Sequence, residues 1–200
     1  MDAGAIILAG GKSTRMGTNK ALLKIKEMPN VERILTLLRS AFPHPILVTN
    51  DLDLYHFLGV KTVKDYFPGK GPLAGIHAGL IASPFEANVS VACDMPFVSA
   101  ELARALVEKS HGYDAVIPVI GGRRQPLFAV YKKSLIGVME EKIKNDLLRM
   151  KDLLDEVNVL YLTEQELKVE ERFERIFFNM NHPHEYEEAI QIAEEESYEL

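Results

Sequence analysis

The sequence predicts a single α/β domain over residues 1–200, a three-layer sandwich with helices on both faces of a mostly parallel sheet. Three observations carry that expectation. Short Val- and Ile-rich runs recur along the chain with helical segments between them. Runs such as AIIL and VSVA are almost continuously apolar, as strands covered on both faces require. There is also no repeat, low-complexity tract or Gly/Ser linker to divide a length that suits one domain.

The elements follow in order. GAIILAG (4–10) reads as the first strand. PNVERILTLLRSA (29–41) sets Val31, Ile34, Leu35 and Leu38 at helical spacing. HPILVTN (44–50) and VKTVKD (60–65) are the next strands, and DYFPGKGPLAG (65–75) is a glycine-rich loop opening a helix with Pro72 in its first turn. NVSVACD (88–94) is a strand and SAELARALVEKS (99–110) a helix, with Ser99 as its N-cap and Leu102, Ala105 and Leu106 inward. DAVIPVI (114–120) and LFAVYKK (127–133) are strands that GGRRQP (121–126) joins as a hairpin. VNVLYL (157–162) is the last strand, and PHEYEEAIQIAEEESYEL (183–200) a largely solvated terminal helix.

The bulk numbers remove several classes of function. A net charge of -6, with acid concentrated in EEAIQIAEEESYEL, argues against a broad nucleic-acid surface. Cys93 is the single cysteine, so no internal disulfide can form. No positive region precedes the short apolar run of the N-terminus, and no run approaches a membrane span. A soluble cytoplasmic protein with no membrane contact is expected.

Polar and glycine-rich motifs follow strand ends four times: GGKSTRMG, Asn50–Asp51, DYFPGKGPLAG and CDMP. In open α/β sheets ligands sit beyond the carboxyl ends of strands, so these four loops should line one rim. Within LAGGKSTRMGTNKALLK (8–24), GKST imitates a Walker A tail, but its first glycine would fall on Ile6, inside the strand. The dinucleotide fingerprint fails too, because Gly10 and Gly11 are adjacent and no third glycine has the right spacing. What stands is a loop from Gly10 to Gly17 whose amides can wrap a phosphate chain, with Arg15 as a fork and Lys20 as a point charge. The competing reading is a surface turn with incidental charges.

Each further residue has a plain alternative. Asp94 at a strand end can hold Mg²⁺ against phosphates, or cap a turn, although Ser99 is better placed as the helix cap. Asp65 could accept from a purine ring N–H and amino group, or stand in water. Asn50 closes its strand as a turn residue would, and Arg123 and Arg124 read as a solvated edge or as a guide for a polyanion. Asn179 and Asn181 alternate along an extended segment. Cys93 has no activating histidine nearby and reads as packing, while His182 and His184 read as exposed loop residues.

LAGGKSTRMGTNK resembles the L-A-G-G-x-S-x-R-M-G-x-x-K loop of the molybdenum cofactor guanylyltransferase family of nucleotidyltransferases. The likeness continues in order through DYFPGKGPLAGI, CDMPF, RRQPLFAVY and FNMNHPHEY, essentially the whole chain. It implies a Rossmann-like nucleotidyltransferase fold and Mg²⁺-dependent transfer of GMP from GTP to the terminal phosphate of molybdopterin or Mo-molybdopterin, releasing pyrophosphate. By the same resemblance Lys20, Arg15 and Asp94 are catalytic, with Asp94 the metal ligand. Leu8, Ala9, Gly10, Gly11, Lys20, Asn50, Asp65, Gly71 and Asp94 bind the nucleotide, while Arg124, Asn179 and Asn181 face the pterin. Transient contact with molybdenum-insertion and molybdoenzyme-maturation proteins is implied as well. Three positions depart from the pattern: Glu27 stands where glycine is frequent, Asn30 where an apolar residue is common, and His182 where threonine is common. The rival readings are a CTP- or sugar-phosphate-using relative and a non-catalytic guanine-nucleotide or pterin-binding module. The first is disfavoured because such relatives usually replace the first glycine of AGG with alanine, the second by Arg15, Lys20 and Asp94 occurring together.

Overall fold

The computed structural model describes residues 2–10, 19–167 and 172–195. Strand β1 (Ala3–Leu8) leads to a 3-10 turn at Lys20–Leu22 and a small hairpin of β2 (Lys24–Ile25) and β3 (Met28–Pro29). Then come α1 (Asn30–Arg39), β4 (Ile46–Val48), a 3-10 segment at Asp53–Leu58, β5 (Lys61–Val63) and α2 (Gly71–Ala82). The middle of the chain forms β6 (Ala87–Ala92), α3 (Ala100–Glu108), β7 (Ala115–Ile120), β8 (Arg123–Arg124) and β9 (Phe128–Lys132). It closes with α4 (Ile136–Lys144), α5 (Met150–Leu154), β10 (Val159–Thr163), α6 (Glu164–Leu167), α7 (Phe173–Ile176) and α8 (Pro183–Glu195).

Among the described residues the main sheet has eight strands, ordered β10-β7-β9-β6-β1-β4-β5 with β8 paired to β7. β1 runs parallel to both β4 and β6, and β4 parallel to β5, so the carboxyl ends of these four strands share one rim. β9 is antiparallel to β6 and β7, which makes the sheet mixed but mostly parallel. The expected hairpin is present: Gly121 and Gly122 turn the chain at φ 56 and 74. Three steps along β7 (119 back to 116) are matched by six along the return (124 to 130), so the return arm breaks into β8 and β9.

The sheet period of two divides the core into two layers. Ile6 and Leu8 of β1 pack with Leu73 and Ile76 of α2 and Met139 of α4. Ala5 and Ile7 pack on the opposite face with Ile34 and Leu38 of α1 and Leu102 of α3. Each such fully buried side chain contributes about 1.5–3 kcal/mol. α2 buries every residue from Leu73 to Leu80, packed against both the sheet and α4. It also sits unusually close to β1, since a Cβ on Gly79 would fall 2.4 Å from a methyl carbon of Ile6.

Ser99 caps α3 by accepting from Leu102 N at 3.0 Å, as its sequence position suggests. α8 is less detached than its charge implies: Ala189 and Ala193 are buried with Ile25, Phe97 and Met180. The β2–β3 hairpin has no turn signature in the sequence. Lys26 and Glu27 nevertheless turn it at φ 50 and 62, the left-handed region that glycine would adopt without strain.

Candidate functional site

The rim is held by backbone bonds between the residues that leave its strands. Ala9 N donates to Val48 O at 2.9 Å, Cys93 N to Leu8 O at 3.1 Å and Thr49 N to Val63 O at 3.0 Å. Leu8 and Ala9 are buried, whereas Gly10 and Asn50 beyond them are exposed. The start of the phosphate-type loop therefore rises from a fixed base. Gly11, Arg15 and Gly17 lie outside the described residues.

Lys20 re-enters the site at the head of its 3-10 turn. Asn19 caps that turn, its Oδ1 accepting from Ala21 N at 3.1 Å while its Nδ2 donates to the buried Tyr55 hydroxyl at 2.9 Å. Lys20 Nζ donates to Asn181 Oδ1 at 2.7 Å, across 161 residues of chain. Met180 N donates to Asp94 O at 2.9 Å. These two bonds bring the NMN segment against both charged residues, so Lys20, Asp94 and Asn181 form one cluster.

Glu185 stabilises this arrangement, and sequence reasoning missed it. Its carboxylate accepts from the backbone N–H groups of Asn181 and His182, the latter at 2.7 Å. This is the return half of a capping box on α8, and the signal was a glutamate three residues after His182 at a helix start. Burial pushes the Glu185 carboxyl up, but the two amide bonds and the nearby histidines outweigh it and hold the group below its usual range.

Asp94 is half-buried, and its Oδ1 is fully buried with no hydrogen-bond partner. Burial pushes the carboxyl up from the usual carboxylate range, and the Lys20 charge pulls it back. A buried acceptor oxygen lacking a donor, beside a rim fit for phosphates, suits a hard divalent cation such as Mg²⁺. Among the described residues no group of three or more His, Cys, Asp or Glu could hold a metal, and phosphate and water oxygens are ligands of the kind that would complete a shell around Asp94. Burial, then the neighbouring Asp94 charge, pushes the Cys93 thiol up to about 12, which suits packing and not nucleophilic attack.

On the β5 side, Asp65 Oδ1 accepts from Phe67 N at 2.8 Å, an Asx turn that orients the carboxylate. Gly71 opens α2 at φ 74, and the preceding Lys70 is tied to Asp146 at 2.7 Å. The pterin-side residues are engaged differently. Asn181 is bound to Lys20, but Asn179 Nδ2 donates to Phe177 O at 2.9 Å within its own turn. Arg124 is exposed on β8, paired with Asp155 at 3.6 Å and lying 4.5 Å over the Tyr161 ring. Its contacts point to the β10 edge and not to the Lys20 cluster. His182 and His184 are exposed, and their rings stack at 5.6 Å.

A family model for the MobA-like NTP transferase domain matches residues 5–159. The chain is 39% identical over 194 residues to a probable molybdenum cofactor guanylyltransferase of Pelotomaculum thermopropionicum, with 97% of this chain and 95% of that one covered. A protein of the same description from Carboxydothermus hydrogenoformans is 38% identical over 189 residues, with 93% and 94% covered. Among solved structures, molybdopterin-guanine dinucleotide biosynthesis protein A of Archaeoglobus fulgidus superposes with a TM-score of 0.84 at 28% identity, covering 96% of this chain and 99% of that one. The matched span takes in most of β1 and Lys20, Asp65, Asp94 and Arg124, and the relatives extend the likeness over nearly the whole chain. The chain therefore belongs to the MobA-like NTP transferase domain family.

Proposed function

We propose that the chain transfers GMP from GTP to the terminal phosphate of molybdopterin or Mo-molybdopterin, forming the guanine dinucleotide and releasing pyrophosphate. The observation that carries this reading is the convergence of Lys20, Asp94 and Asn181 at the carboxyl ends of β1 and β6. It is supported by the relatives of that function which the chain matches nearly end to end.

A phosphate oxygen of the pterin attacks the α-phosphorus of GTP in line. A new P–O bond forms, the bond to the bridging β-phosphate oxygen breaks, and its electron pair leaves with pyrophosphate. The protein has little covalent work, so catalysis rests on alignment and charge. The Lys20 ammonium, held by Asn181, offsets negative charge on the phosphates. Asp94 would hold Mg²⁺, which when bound supplies charge neutralisation at the phosphate oxygens. Asp65 would accept from the guanine ring N–H and amino group, a donor pair that adenine lacks. Asn181 is placed to contact the second substrate as well as Lys20. A cytoplasmic location and transient handover to molybdenum-insertion or molybdoenzyme-maturation proteins belong to the same proposal. Among the described residues no helix is long and apolar enough to cross a membrane.

The test is incubation with molybdopterin, GTP and Mg²⁺, followed by chromatographic identification of the pterin product and measurement of released pyrophosphate. Guanine dinucleotide and pyrophosphate in equal amounts are expected. Cytosine dinucleotide formed from CTP in preference would overturn the base assignment. GTP binding without product would leave a binding module.

A further inference from the structure

Asn30 and Arg33 stand three residues apart on α1, where side chains are neighbours on one helix face. Asn30 Nδ2 donates to Cys93 O at 2.7 Å, and Arg33 Nε donates to Pro96 O at 3.1 Å. The two carbonyls are also three residues apart, and Asp94 lies between them. With Met180 N on Asp94 O at 2.9 Å, the carbonyls of residues 93, 94 and 96 are each held by a donor distant in sequence.

Both donors are themselves immobilised. Asn30 is completely buried, and its backbone N–H is fixed on Leu23 O at 2.8 Å. The Arg33 guanidinium lies 5.3 Å over the Phe97 ring. Stability alone does not explain Asn30, because its Oδ1 is buried without a partner and an apolar side chain would avoid that penalty. What the amide supplies is a donor aimed at the peptide that immediately precedes Asp94.

We infer that Asn30 and Arg33 are positioning residues, a two-point clamp that fixes the Cys93–Pro96 backbone and with it the Asp94 carboxylate. The inference rests on the proposed role of Asp94 as metal ligand and extends it to residues that touch neither metal nor substrate. α1 thereby couples the hairpin after Lys20 to the metal-side loop, since it begins directly after β3 and grips that loop with its first turn.

The test compares wild type with Asn30→Leu, Arg33→Leu and Arg33→Lys. Mn²⁺ affinity in the presence of GTP is read by electron paramagnetic resonance, alongside kcat, KM for GTP and thermal unfolding. Asn30→Leu should weaken Mn²⁺ binding and lower kcat by about 10- to 100-fold each, the range seen when outer-shell partners of a metal ligand are removed. KM for GTP should stay within about twofold, because uniform nucleotide binding is untouched. Arg33→Leu should show the same pattern more weakly, and Arg33→Lys should recover most of it by restoring a donor. Folded Asn30→Leu with wild-type Mn²⁺ affinity and kcat would overturn the clamp. If Asn30→Leu does not fold, wild-type values in folded Arg33→Leu would overturn it equally. If wild type binds Mn²⁺–GTP but forms no guanine dinucleotide, the transfer reading fails while the Mn²⁺ comparison still decides the clamp.

Discussion

Two hairpins in this molecule turn on two residues with positive φ, yet they are built from opposite chemistry. The β7–β8 turn uses Gly121 and Gly122 at φ 56 and 74, which glycine adopts without steric cost. The β2–β3 turn uses Lys26 and Glu27 at φ 50 and 62, where a Cβ costs roughly 1–2 kcal/mol per residue. Surroundings explain the difference. The glycine turn is exposed, and the return arm pairs with β7 at only two positions before it breaks. The strained turn is gripped from several sides: Ile25 is completely buried, Tyr186 donates its hydroxyl to Lys24 O at 2.7 Å, and Asn30 N is bound to Leu23 O. Strain of this kind persists only where neighbours over-determine the backbone. The comparison teaches that the segment between Lys20 and α1 is fixed by tertiary contacts, whereas the segment carrying Arg124 is shaped by its own turn.

Removing a grip should break the comparison most severely. Ile25→Ala empties the space shared with Phe97, Met180 and Ala189, and should cost about 2–5 kcal/mol in urea unfolding. An unchanged midpoint would show that the strained hairpin does not depend on its anchor. Next, Gly122→Ala meets no atom within 4 Å but must adopt φ 74, so about 1–2 kcal/mol should be lost from backbone strain alone. Glu27→Gly should move the opposite way, raising stability by about 1 kcal/mol or less, since relief of strain is partly offset by the freer unfolded chain. Its ion pair with Lys24, at 3.9 Å and exposed, adds little to this balance. A loss of stability in Glu27→Gly would mean that the turn is not strained. The smallest structural effect belongs to Arg124→Ala. Its exposed pair with Asp155 is worth about 0–1 kcal/mol, so the unfolding midpoint should barely move. If Arg124 guides the pterin phosphate, KM for that substrate should rise several-fold at low ionic strength and converge with wild type at high salt.

The same contrast explains what could be read from the sequence. The parallel strands were legible because burial on both faces leaves runs such as AIIL, and the β7 hairpin because Gly-Gly is a turn signal. Asp94 and Lys20 could be found because strand ends and motif spacing mark them. The β2–β3 hairpin was not legible, since nothing in KIKEMP requires a left-handed Lys-Glu pair. Asn30 looked like a mere departure from an apolar position until its amide was placed on Cys93 O. Glu185 and Asn19 were missed for a related reason: a cap shows its purpose only through the residue it presents, here Asn181 and Lys20. Arg124, expected at the pterin side, is held by Asp155 and Tyr161 toward the sheet edge, a placement no local pattern encodes.

The bond from Lys20 to Asn181 spans 161 positions of chain. Contacts of such separation form late, because a long loop must close before they return any free energy. Strands β1, β4 and β6 can pair before the segment carrying Met180 and Asn181 docks. Until it docks, the Asn181 bond to Lys20 and the Met180 bond to Asp94 O are unmade. The cluster of Lys20, Asp94 and Asn181 is thus completed late in folding, only when the segment after α7 docks.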